Sequence, residues 1–269
     1  MSMSVAISRT ADAATGRGRP RGTTPARPAL TRIFPPGLPV PADTLEIWLL
    51  ATDHAGGDGL AHLVSLLSQA EQARCARFLR PEDRGSYVAT RAALRMVLSD
   101  SIGVAPDAIK LDQNPWGKPV LAADHACHNL DFSVSHSGRL SAIALSRTGA
   151  VGIDIERRRE VSHRHRIVED LLGDGAAVTL AGLPPQQQDE AFLRLWTATE
   201  AVVKAAGTGL AGNRNPIPLA LAGDGLPRLA PHRVASNARR WSLVPIDPSP
   251  GYVGSLVIEA DDDPVPVCE

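Results

Sequence analysis

The sequence predicts an α+β protein made of two similar halves in one chain, preceded by a separate N-terminal tail. Three observations carry that expectation. The chain has 269 residues and 43% apolar content, enough for one large or two modest packed units. Segments with helix and strand periods follow in the order strand, two helices, three strands, and this order occurs twice with a join near Gly149, although no residue-level repeat relates the halves. The first 41 residues stand apart, with seven prolines, four glycines and six arginines against the single acid Asp12. Such a composition predicts a disordered tail. The predicted units are therefore a tail over 1–41, a first half over 42–149 and a second half over 150–262.

Taken in order, Glu46–Leu50 predicts the first strand, and Leu60–Leu79 predicts a helix from apolar residues near a 3.6 period. Pro81 is expected to end that helix, and Glu82–Asp100 predicts a second one with Tyr87, Ala92 or Leu94, and Val97 or Leu98 inward. Three short strands are expected at Ile109–Asp112, Asp131–Ser135 and Ser141–Ser146, separated by Gly, Pro and Asn turn signals. The second half opens with a strand at Val151–Glu156, stopped by the charge run Arg157–Glu160. Helices at Arg164–Leu172 and Gln187–Ala206 follow, then strands at Leu219–Ala222, Trp241–Ile246 and Tyr252–Glu259.

Charge and cysteine content exclude several functions. A formal net charge of -1 gives no global attraction to nucleic acid or anionic membrane, so any anion site must be local. Cys75, Cys127 and Cys268 are odd in number and lack C-x-x-C spacing, against a disulfide framework or a structural zinc site. No run approaches the roughly 18 apolar residues of a membrane span, and no signal-peptide stretch stands at the N-terminus. A soluble, cytoplasmic, monomeric protein is the expectation.

Four stretches bear chemistry. Asp154 and Glu156 are two apart on a predicted strand, so both carboxylates leave one face, opposite Ile153 and Ile155. Convergent carboxylates suit Mg²⁺, and the same pattern also fits an ordinary half-exposed strand. Trp196, Glu200 and Lys204, at i, i+4 and i+8, share a helix face; Glu200 and Lys204 equally fit a plain surface pair, and Trp196 a core anchor. Asn114-Pro-Trp-Gly-Lys-Pro119 puts Lys118 in a turn, either as a phosphate-binding point charge or as an exposed turn residue. Ser133-Val-Ser-His-Ser-Gly138 ends a strand with hydroxyls and an imidazole. Ser135 and His136 point to opposite faces there and G-x-S-x-G is absent, which argues against a serine hydrolase. Arg84 and Arg91 lie two helical turns apart, with Arg95 on nearly the same side; they could meet one anion or form a solvated face.

Together and in this order, Trp116–Pro119, Phe132–Gly138, Val151–Glu156 and Trp196–Lys204 resemble the 4'-phosphopantetheinyl transferases of the surfactin type, over about residues 45 to 260. The resemblance implies a pseudo-twofold pair of α+β halves with coenzyme A between them. It implies transfer of the phosphopantetheine arm to a serine of an acyl or peptidyl carrier protein, with release of 3',5'-ADP. It also tilts the expectation toward secondary metabolism, with polyketide or nonribosomal peptide carriers. Asp154, Glu156 and Glu200 would hold Mg²⁺, with Glu200 as base and Lys204 neutralising the pyrophosphate. Lys118, Ser135 and His136 would contact coenzyme A phosphates, and Arg84 and Arg91 its 3'-phosphate.

One position departs from the family motif: Thr199 stands where a lysine usually precedes the metal-binding glutamate. Alternatives from other classes are a non-catalytic coenzyme A or carrier-binding module and a Mg²⁺-dependent nucleotide hydrolase. The intact acids and Lys204 oppose the first, and the lack of G-x-x-x-x-G-K-[ST] opposes the second.

Overall fold

The computed structural model describes residues 28–36, 38, 40–41, 43–52, 58–209, 219–229 and 240–260. The first half runs β2 (Leu45–Ala51), α1 (Asp58–Ser65), α2 (Gln69–Cys75), α3 (Pro81–Ile102), a hairpin of β3 (Leu111–Gln113) and β4 (Pro119–Leu121), then β5 (Asp131–Ser137) and β6 (Leu140–Ser146). The second half repeats it: β7 (Val151–Arg157), α4 (Arg164–Leu172), α5 (Asp174–Gly182), α6 (Pro185–Ala206), a hairpin of β8 (Leu219–Leu221) and β9 (Pro227–Leu229), then β10 (Arg240–Ile246) and β11 (Tyr252–Ala260). The strand orders β2-β6-β5 and β7-β11-β10 correspond. Both long helices have 22 residues, start with proline in the first turn and stop at a glycine with positive φ, Gly103 at 72° and Gly207 at 69°. Proline needs no helical N–H donor there, and glycine enters the left-handed cap without Cβ strain.

The fold is thus α+β with the doubled order expected, and several boundaries are corrected. A strand β1 (Leu30–Ile33) lies inside the stretch expected to be a tail, pairs antiparallel with β2 and buries Ile33. The rest of that stretch up to residue 27, with 37 and 39, lies outside the described residues, as does the end of the second half beyond 260. The single helix expected over Leu60–Leu79 is two, because Ser68 caps α2. Its hydroxyl accepts the Glu71 amide while the Glu71 carboxylate accepts the Ser68 amide. Pro81 does not end a helix but opens α3. Strands β4 and β9 and helix α5 add to the expected elements: β4 and β9 are three residues long and begin with proline, and α5 sits among Gly173, Gly175 and Gly182, which read as breaks.

Packing follows the strand faces. Leu50, Phe132, Ile143 and Leu145 turn one face of the first sheet to α3 residues such as Ala92, Leu94 and Leu98. Ile47, Ala142 and Ala144 on its other face join Ile153, Ile155 and Leu256 of the second sheet in a shared core. Helix α6 covers the far side of the second sheet through Ala198, Ala201 and Val202 against Val257. Among the described residues no helix is long and apolar enough to cross a membrane, and Cys75 is buried and free.

Candidate active site

Two glycine-dependent approaches place the site. A side chain at Gly152 of β7 would collide with the Ala201 carbonyl and come within 2.6 Å of the Ala205 nitrogen, so α6 lies directly on the strand backbone. That contact brings the Glu200 and Lys204 face of α6 to the carboxylates of β7. Lys204 Nζ donates to Asp154 Oδ1 at 2.7 Å and to the Ile153 carbonyl at 3.3 Å. The second approach is at Gly207, where Asn114 Nδ2 donates to the carbonyl at 2.7 Å. Asn114 Oδ1 accepts the amides of Trp116 and Lys118, so the β3–β4 turn of the first half docks as a rigid unit on the end of α6.

The carboxylates share one pattern. Asp154 Oδ1 receives Lys204 at 2.7 Å and the Ser135 hydroxyl at 2.6 Å, whereas buried Oδ2 has no partner among the described residues. Glu156 Oε2 receives Ser137 Oγ at 2.6 Å and Arg159 at 3.2 Å, and no donor among the described residues reaches Oε1. Glu200 is half-buried and receives no hydrogen bond among the described residues. Burial pushes the Asp154 carboxyl above its ordinary range, against the pull of Lys204 and Ser135 and helped by the charge of Glu156. Burial also raises Glu200; Lys204 lowers it, and Asp154 and Glu156 add to the rise. The negative charge is therefore under-compensated, with buried or half-buried oxygens left without donors, and hard oxygen donors suit Mg²⁺. The acids are neighbours without forming a closed cage: among the described residues no three acid, His or Cys side chains stand close enough to grip an ion.

A cleft of about 1440 Å³ runs over α2, α3 and β5, lined by Arg74, Tyr87, Arg91, Val134 and His136 among others. It shares Gly117, Pro119 and Val134 with a smaller pocket holding Trp116, Lys118, Glu200 and Lys204. One surface thus leads from Arg91 to Glu200.

The structure sorts the residues expected in the site. Asp154, Glu156, Glu200 and Lys204 come together, and Arg91 and His136 line the cleft. Lys118 lines the smaller pocket, yet its ammonium is committed to Asp131 at 2.8 Å and the Val151 carbonyl, so it is an ion-paired latch rather than an exposed point charge. Ser135 is buried between the halves rather than in the cleft. Arg84 is exposed on α3 and is not among the residues that line the cleft with Arg91. Arg95 is buried, and its guanidinium serves Glu71, Pro106 and Ile109. Trp196 is a half-buried anchor stacked on Phe192. Thr199 is buried and bonds to the Leu195 carbonyl at 2.9 Å.

Two contributors went unread in the sequence. Glu71 accepts Arg91 Nε at 2.6 Å and Arg95 Nε at 2.8 Å, fixing the cleft arginine. Burial opposes its ionisation, but Arg91, the Ser68 amide and Arg95 hold its carboxyl below the ordinary range. The Ser68-x-x-Glu71 capping signature was its signal. Ser137 belongs to the alternating stripe Asp131-x-Ser-x-Ser-x-Ser137, whose even spacing marks one strand face.

Comparison with known proteins gives the family of the chain. Residues 56–148 match the family described as 4'-phosphopantetheinyl transferase, N-terminal, and residues 150–253 match the 4'-phosphopantetheinyl transferase superfamily. The 4'-phosphopantetheinyl transferase HetI of Nostoc sp. is 32% identical over 224 residues, 83% of this chain and 91% of that protein. A 4'-phosphopantetheinyl transferase of Bacillus subtilis is 27% identical over 163 residues, 61% of this chain and 70% of the relative. The 4'-phosphopantetheinyl transferase AcpT of Salmonella typhimurium is 34% identical over 124 residues, 46% of this chain and 62% of the relative. Matched through both halves and by a relative covered over nine-tenths of its length, the chain belongs to the 4'-phosphopantetheinyl transferase superfamily and is an enzyme of that kind.

Proposed function

We propose that this enzyme transfers the 4'-phosphopantetheine group of coenzyme A to a serine of an acyl or peptidyl carrier protein, releasing 3',5'-ADP in a Mg²⁺-dependent reaction. The observation that carries the reading is the continuous surface from Arg91 to Glu200 and Lys204, behind which Lys204 pairs with buried Asp154, whose Oδ2 has no partner among the described residues. Arg91, oriented by Glu71, and His136 bind phosphates of coenzyme A in the cleft. Asp154 and Glu200, with Glu156 acting through water, would hold Mg²⁺, which when bound supplies neutralisation of pyrophosphate charge; an ion held by one or two carboxylates and its own waters needs no closed cage of three side chains.

The remaining chemistry falls to the chain. The carrier serine oxygen forms a bond to the β-phosphorus while the bond from that phosphorus to the bridging oxygen breaks, and the electron pair leaves on 3',5'-ADP. Glu200, half-buried and free of hydrogen bonds from the described residues, takes the serine proton. Lys204, held by Asp154 and the Ile153 carbonyl beside Glu200, places a fixed positive charge where the leaving group develops negative charge.

The test incubates the full chain with coenzyme A, Mg²⁺ and a panel of apo acyl and peptidyl carrier proteins, and reads carrier mass. A gain of one phosphopantetheinyl group on a carrier is expected. No gain on any carrier that the Bacillus subtilis relative modifies under the same conditions would overturn the proposal.

A further inference from the structure

Strands β5 and β7 meet across the junction of the two halves without a backbone ladder between them. Side chains of β5 take its place. Asp131 Oδ2 accepts the Val151 amide at 2.8 Å, Ser133 Oγ that of Ile153 at 3.0 Å, Ser135 Oγ that of Ile155 at 3.2 Å and Ser137 Oγ that of Arg157 at 3.1 Å. The offset is 20 residues at every step, so the two strands run in fixed parallel register. A serine hydroxyl has one proton and an amide cannot accept it, so each hydroxyl that receives an amide must direct its proton elsewhere. At Ser135 the proton goes to Asp154 Oδ1, and at Ser137 to Glu156 Oε2, both at 2.6 Å. Each hydroxyl therefore occupies one carboxylate oxygen, which takes its second donor from Lys204 or Arg159, and no donor among the described residues reaches the other oxygen.

We propose that Ser135 and Ser137 are positioning residues through which the first half of the chain aims the Asp154 and Glu156 carboxylates of the second. The inference rests on the transferase reading above and adds to it the group that orients the acids. It assigns Ser135 to the junction rather than to a phosphate of coenzyme A. Ser133 makes the same amide bond and reaches no carboxylate among the described residues, which provides an internal control.

The test compares Ser133→Ala, Ser135→Ala and Ser137→Ala in the full chain, reading melting temperature, its rise on adding Mg²⁺ alone, kcat, and the KM for coenzyme A. All three should melt lower, because each strands an amide. Ser133→Ala should keep kcat and the Mg²⁺-induced rise near those of the unaltered protein. Ser135→Ala and Ser137→Ala should lose about 10–100-fold in kcat, as expected when a residue orienting a ligand is removed, with KM little changed and the Mg²⁺-induced rise reduced. Ser137→Thr keeps the hydroxyl and should restore most of the rate. Should Ser135→Ala not fold, half-buried Ser137 decides alone. Equality of Ser137→Ala with Ser133→Ala in both kcat and Mg²⁺-induced rise would overturn the proposal, as would the absence of any such rise in the unaltered protein. If the unaltered protein modifies no carrier but melts higher with Mg²⁺, the function reading fails, and the rise in the variants still decides the role of the serines.

Discussion

Gly152 and Ala201 touch through their backbones: a methyl group on Gly152 would overlap the Ala201 carbonyl oxygen and crowd the Ala205 nitrogen at 2.6 Å. The contact sets the distance between α6 and β7, and hence between Lys204 and Asp154. Gly152→Ala should cost more than the roughly 1–3 kcal/mol of ordinary overpacking, since backbone cannot rotate away. A melting curve within experimental error of the unaltered protein would show that the helix can slide off the strand.

Asp154→Asn tests the under-compensated charge. The folded-state proton affinity of Asp154 is raised, so its ionisation opposes folding as pH rises above the ordinary carboxylate range. The amide removes that cost. The substitution should therefore leave the metal-free protein as stable or more stable at neutral pH, abolish the gain in melting temperature on adding Mg²⁺, and reduce transfer by about 10²–10³-fold. Near-normal transfer would remove Asp154 from the site.

Glu71 carries the opposite sign. Its folded proton affinity is lowered, so the stability that it contributes is present above the ordinary glutamate range and is lost as pH falls through the lowered value. Glu71→Gln leaves Arg91 and buried Arg95 without a counter-charge and should cost about 1–3 kcal/mol at pH 7. Urea midpoints of the two proteins should converge on acidification, and the KM for coenzyme A should rise as Arg91 loses its anchor. Parallel midpoints at every pH would contradict the assignment.

Thr199→Lys becomes a stability test. A lysine beside Glu200 would be expected to lower its proton affinity, but Thr199 is 7% exposed and bonded to the Leu195 carbonyl. A lysine there must bury its ammonium or bend outward past α6, so a loss of about 1–3 kcal/mol is expected. A variant as stable as the original, with its acidic pH limb shifted downward, would mean that the lysine reaches Glu200 without cost.

Removing residues 1–41 deletes β1 and exposes the edge of β2. Burial of Ile33 alone is worth about 1.5–3 kcal/mol, so the truncated chain should melt measurably lower. An unchanged melting temperature would show that β1 adds nothing to the sheet.

What the sequence determined by itself is what local periodicity controls. Alternation on β7 put Asp154 and Glu156 on one face opposite Ile153 and Ile155, and the helical period put Glu200 and Lys204 on one face of α6. The doubled order of elements followed from the same repeats, because φ/ψ periodicity is written residue by residue. Short elements escaped it: β1, β4 and β9 have three or four residues beside proline, too few to show a period. Partnership was decided only by the tertiary structure. Nothing local says that Lys204 meets Asp154 across 50 positions, that Lys118 is spent on Asp131, or that Glu71 holds Arg91 from another helix. Those pairs arise because a glycine lets one helix rest on one strand and a row of hydroxyls replaces a backbone ladder, and both depend on which faces the folded core brings together.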